Sequence, residues 1–148
     1  MILDMLKVAL ANHIEASLTV QSYHWNVEGP DFDQYHSFFA TVYSDYYDQI
    51  DTLAEYIRII SESTEYVNGS IDVVKSNKTI SGKLIVGNKP VDMCLSIIDI
   101  NDSLCKELNE LIDLADKQKL HGFANYCAER IDAMAKLNWK IVAITKNK

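Results

Sequence analysis

The chain has little that would break it or staple it. Its 148 residues include two prolines and five glycines, which excludes a Pro- or Gly-rich low-complexity protein and leaves most of the length free to run as helix. Three cysteines, Cys94, Cys105 and Cys127, are odd in number and form no CxxC pair, so the expectation is small packed thiols in a reducing cytoplasm. Positive charge is in deficit, with 14 Lys and Arg against 21 Asp and Glu and a net charge of -7. That balance supplies no long-range pull toward nucleic acid or an anionic membrane, and cations are the more natural partners. No apolar run reaches the roughly 18 residues a membrane span needs. The opening "MILDMLKVALANH" is interrupted by Asp4 and Lys7 and lacks a basic n-region and a cleavage site, so it reads as helix rather than signal.

What is present is a globular composition, 48% apolar and 24% charged, in a chain of the right length for one domain over residues 1–148. Helical periodicity dominates it. Leu3, Leu6, Leu10, Ile14 and Leu18 form one stripe of a first helix that runs to about Val27, where Gly29 and Pro30 end it. Phe39, Val42, Tyr46, Ile50, Leu53, Ile57 and Ile60 mark an unusually long second helix, which starts near a capping pattern from Asp31 to Gln34. A third helix follows Pro90, with Ile97, Leu104, Leu108, Leu111 and Ala115 inward and Asp99, Asp102, Glu107, Glu110, Asp113 and Asp116 mostly outward. Gly122 separates it from a fourth, striped by Phe123, Cys127, Ile131, Met134, Leu137, Ile141 and Ile144.

Between the second and third helices lies "STEYVNGSIDVVKSNKTISGKLIVGNKP", with short elements expected at Ile71–Val74 and Lys83–Val86. Extended, about 28 residues reach some 90 Å, while the second helix spans only about 40 Å, so the connection can travel the full length of a bundle. The expected fold is all-α: a ferritin-like four-helix bundle with one long crossover between the second and third helices.

Candidate metal ligands are His13, His24, His36 and His121 on the nitrogen side, with Asp48, Asp51 and Glu55 on the second helix. Asp51 and Glu55 lie one turn apart on one face, a spacing at which two carboxylates grip one cation. His36 and Asp51 are about 22 Å apart along the helix, too far to share an ion within one chain. No Glu-x-x-His occurs, so a di-iron centre inside the bundle built on that motif is not available. If these ligands belong together, a second chain must join them, and a two-fold axis across antiparallel second helices would do so.

"HWNVEGPDFDQYH" followed by "DTLAEYIR" strongly resembles the Dps-type mini-ferritins, the DNA-protection proteins of starved cells; the likeness is sharpest over residues 23–58 and includes Trp139. The resemblance implies a cytoplasmic dodecameric homo-oligomer that oxidises Fe(II) and stores the product. Iron would bind between subunits, with His24 and His36 from one chain and Asp51 and Glu55 from its two-fold mate. Trp25 would lie beside the site as a quencher of oxidising radicals. One departure stands out: Ala40 holds a position one turn after the second His that the family usually fills with an acid, and Asp48 is the nearest candidate to supply the missing oxygen. The family's acidic three-fold pore is matched here only by His121, Asn125 and Glu129. DNA binding through a basic tail is possible but not favoured, because the first helix begins at Met1 and Lys136, Lys140, Lys146 and Lys148 are spread along the other end. The competing expectations are a non-enzymatic shell with a degenerate ferroxidase site and a DNA-compacting protein.

Overall fold

A computed structural model describes residues 1–146, and Lys148 lies outside them. Five helices follow in order: α1 (Ile2–Asn26), α2 (Phe32–Ile60), α3 (Ile71–Asn77), α4 (Pro90–Lys117) and α5 (His121–Thr145). α1 packs on α2 and α4 on α5 as two hairpins, and α1 joins the hairpins through α4. The four long helices form the expected bundle, with short α3 inside the crossover. No described helix is long and apolar enough to cross a membrane.

Local chemistry sets the helix ends. α1 stops at Val27, whose extended backbone breaks the helical path. Gly29 follows with φ +122, a conformation side-chain-bearing residues rarely adopt, and a Cβ there would also strike the Asn88 side chain. The Phe32 N–H donates to the Gly29 carbonyl at 3.1 Å, closing the turn into α2. Asp31 is the N-cap, as the capping pattern implies, but its side chain makes no cap bond, since its own backbone (φ -103, ψ 29) is not the extended conformation a capping side chain needs. Pro90 sits in the first turn of α4, where a missing N–H costs nothing.

Four expectations need correction. Leu18 is 56% exposed. Successive four-residue steps rotate a helical stripe by about 40° each, so the run from Leu6 through Leu10 and Ile14 carries Leu18 out of the core, which Ala16, Val20 and Tyr23 occupy instead. Glu107 is buried rather than outward. Lys83–Val86 forms no regular element; the one β feature among the described residues is an isolated parallel bridge between Val27 and Gly87. Gly122 is not the break between the last two helices but a first-turn residue of α5; the break falls at Lys119, whose φ of 59 turns the chain.

The crossover runs beside α1 in the same direction, fastened at successive turns. Asn12 accepts from the Thr79 and Ile80 N–H groups at 2.8 and 3.2 Å. Glu15 pairs with Lys78 at 3.1 Å and accepts from the Gly82 N–H at 2.7 Å. Gly82 lies so close to Thr19 that any Cβ would collide with it. The Tyr23 hydroxyl donates to the Lys83 carbonyl at 3.0 Å, and Glu28 N–H reaches the Gly87 carbonyl at 3.1 Å.

One continuous core fills the space between the long helices, with Leu6, Tyr23, Phe39, Leu53, Leu104, Leu108 and Met134 among its most enclosed side chains. Several polar groups within it are paired: Tyr46 donates to Asn101, Asn101 to Asn138, and Arg130 forms a two-point contact with Asp45 at 2.6 and 3.2 Å. Burial pushes the Cys94 and Cys127 thiols up to about 12, so they pack as unreactive apolar groups.

Candidate metal centre

The Gly29–Pro30 turn folds α2 back along α1 and sets His24, in the last turn of α1, against His36, in the second turn of α2. The two imidazoles lie face to face, centroids 3.7 Å apart and planes 14° from parallel. Each holds the other's backbone: His24 Nδ1 is 2.6 Å from the His36 carbonyl and His36 Nδ1 is 2.7 Å from the His24 carbonyl. A carbonyl only accepts, so both Nδ1 atoms carry their protons, and in each neutral ring the lone pair is on Nε2. The His24 carbonyl belongs to the last turn of α1, where no intrahelical N–H reaches it, so the His36 ring also satisfies a helix terminus. Metal-binding histidines are commonly prepared this way, with one nitrogen anchored to an acceptor and the other left to coordinate.

Other rings flank the pair. Phe32 stacks on His36 with centroids 4.7 Å apart, and Tyr43 tilts against His24 at 5.5 Å. Both escaped the sequence reading. Phe32 stands at helical i,i+4 spacing from His36, a signal visible in the sequence but indistinguishable there from ordinary packing.

The carboxylates occupy the far half of α2. Asp48, Asp51 and Glu55 are exposed, and none forms an ion pair with a described residue. His36, Ala40, Tyr43, Tyr47, Asp51 and Glu55 follow at steps of three and four along one stripe of α2, with the imidazoles at one end and the acids at the other. Within the chain the structure brings His24 and His36 together but not the acids to them. Among the described residues no group of three or more His, Cys, Asp or Glu could hold a metal ion. The middle of the stripe is apolar: Tyr47 is 66% exposed, and Ile14, Leu18, Tyr43 and Ile50 border a shallow hollow beside it.

Trp25, next to His24, is 63% exposed. His13 takes no part here: it is buried in α1 with Nδ1 2.8 Å from the Ala9 carbonyl, and burial holds its imidazole down at about 4. His121, Asn125 and Glu129 lie exposed along the start of α5, with Asn125 donating to Glu129 at 3.3 Å. Lys136, Lys140 and Lys146 are exposed on α5 and its C-cap, the first 3.7 Å from Asp132.

The sequence profile of the ferritin-like domain matches residues 3–147. The chain is 25% identical over 140 residues to a DNA protection during starvation protein of Helicobacter pylori, covering 95% of each. It is 32% identical over 111 residues to General stress protein 20U of Bacillus subtilis, covering 73% of this chain and 72% of that one. In structure it is similar to the DPS protein of Vibrio cholerae O1, described as one of a broad superfamily of ferritin-like diiron-carboxylate proteins. The TM-score is 0.88 at 23% identity, over 98% of this chain and 89% of the other.

Proposed function

Because this chain belongs to the ferritin-like family, and to its Dps-type mini-ferritins, we propose that it oxidises Fe(II) at a site shared by two copies and stores the product inside a dodecameric cytoplasmic shell. The observation that carries this reading is the reciprocal His24–His36 pair. It places both Nδ1 protons on backbone carbonyls and leaves two Nε2 lone pairs that, among the described residues, no cluster with a carboxylate completes.

A two-fold axis between antiparallel α2 helices supplies what is missing. It sets His36 of one copy opposite Glu55 of the next and Ala40 opposite Asp51, while the apolar middle, Tyr43, Tyr47 and Ile50, packs on itself. Imidazole and carboxylate together suit Fe(II), and the anionic oxygens favour the Fe(III) product, so oxidation becomes easier at the site.

The ring geometry also bears on ion number. An imidazole lone pair lies in its ring plane, so two nearly parallel rings 3.7 Å apart cannot both aim at one ion. Each ring serves its own, as in a two-metal site. Two Fe(II) ions then give one electron each to a peroxide, whose O–O bond breaks to yield water once two protons are taken up. Asp51 and Glu55 of the mate hold the His24 ion. The ion at His36 is the weaker, because Ala40 offers no oxygen and only Glu55 comes from the mate. Trp25 gives up an electron to stray oxidising radicals, a role its exposure permits.

The second reading, a shell whose oxidising site has decayed, is favoured by Ala40 and by the start of α5, where His121, Asn125 and Glu129 offer only one acid. Stopped-flow absorbance on mixing with Fe(II) and peroxide separates the two. The wild type is expected to oxidise iron faster than Asp51→Ala, and equal rates would favour the inactive shell. DNA compaction is disfavoured by the net charge of -7, and failure to retard DNA at low salt would remove it.

A further inference from the structure

We propose that Phe32 is a positioning residue for the metal ligand His36, the outer leaf of an aromatic stack that fixes the direction of its Nε2 lone pair; this rests on the metal-binding role proposed for His36.

The Nδ1 bond to the His24 carbonyl restrains only one edge of the His36 ring. A ring held by a single hydrogen bond can still pivot about it, and the terminal torsion of an imidazole is broad. What remains to be fixed is the plane. On one side His24 does this at 3.7 Å and 14°. On the other side Phe32 is 4.7 Å away and 23° from parallel, so His36 is clasped between two rings. His24 is itself backed by Tyr43, and the column reads Phe32, His36, His24, Tyr43.

The local backbone delivers Phe32 to this place. The left-handed Gly29 and the hydrogen bond from Phe32 N–H to the Gly29 carbonyl start α2 with Phe32 as its first residue, one turn before His36. Phe32 remains 38% exposed and is absent from the buried core, so core packing does not account for a large ring at a helix start. Covering one face of His36 does. A ligand held to within ~10–20° of its productive direction is what a metal site requires of its supporting residues.

The test uses Co(II) as the probe, read by its visible absorbance, on the assembled wild-type protein and the variants Phe32→Leu and Phe32→Tyr. Leu keeps the apolar bulk and loses the ring; Tyr keeps the ring. Phe32→Leu is expected to weaken Co(II) binding about tenfold and alter the absorption band while melting at the wild-type temperature, and Phe32→Tyr to restore both readouts. Wild-type affinity and band in Phe32→Leu, or equal damage in both variants, would overturn the proposal. Should the wild type itself bind no Co(II), the shared-site reading fails instead. The crystal structure of metal-free Phe32→Leu then decides for Phe32: a His36 ring swung off His24 supports the positioning role, and an undisturbed stack refutes it.

Discussion

Asn12 and Glu107 meet inside the bundle, the Asn12 amide donating to one carboxyl oxygen of Glu107 while its own carbonyl oxygen holds the crossover at Thr79 and Ile80. The other carboxyl oxygen of Glu107 is buried without a partner. Desolvation, only partly offset by Asn12, raises this carboxyl to about 7. The folded state therefore holds the proton more tightly than the unfolded chain. The resulting penalty is absent below the ordinary carboxyl range near 4.5, grows as pH rises to about 7, and is constant above that. Glu107→Gln keeps an acceptor oxygen for the Asn12 amide and abolishes the titration. Its stability is expected to exceed the wild type's at pH 8 by about 3 kcal/mol, seen as a higher melting temperature, and to converge with it near pH 4. Parallel melting curves across that range would refute the account.

Asp45 and Arg130 are unequal partners. Arg130 is enclosed, with its side chain 9% exposed, whereas Asp45 is 46% exposed. Removing the acid strands a buried guanidinium, and removing the base leaves a carboxylate that water can reach. Asp45→Ala is therefore expected to cost about 3 kcal/mol and Arg130→Met appreciably less. Denaturation of the two variants and of the double variant measures the asymmetry, and equal losses would contradict it.

A shared site predicts complementation. A His24→Ala/His36→Ala chain and an Asp51→Ala/Glu55→Ala chain each lack half of every site and are expected to be inactive alone. Refolded together at equal amounts, about half of the two-fold pairs are mixed, and each mixed pair holds one complete site of two, so about a quarter of the wild-type oxidation rate should return. No recovery in assembled mixed shells would exclude ligands shared across this axis.

Ala40→Asp restores an oxygen donor one turn after His36. The expected outcome is tighter binding of a second ion and faster oxidation with peroxide, while the first ion is unaffected. Titration with Co(II) followed by absorbance counts the ions; an unchanged stoichiometry and rate would show that Asp48 already fills the place.

Much of the architecture was legible because long helices repeat their apolar residues visibly. Phe39, Val42, Tyr46, Leu53 and Ile57 are buried as their spacing implies, and the crossover travels along the bundle as its length allows. Leu18 misled because hydrophobicity alone does not register the slow rotation of a four-residue repeat. Glu107 misled because charge type is a guide to exposure only where no partner such as Asn12 awaits. The histidines could be named from the sequence, but their mutual backbone bonds could not. Those arise only when two helices are laid side by side, and a linear spacing contains no such information. The acids could be placed on one face of α2 from their spacing, and they lie exposed there, away from the imidazoles.

The imidazole pair is completed within one chain, by His24 and His36 with the Gly29 turn and the Phe32 ring beside them. On the shared-site reading this nitrogen half travels as a local cassette, while the oxygens of Asp51 and Glu55 would come from a neighbour and depend on an interface. Substitutions on the interface face of α2 would then remove the oxygens while the nitrogen donors stay in register.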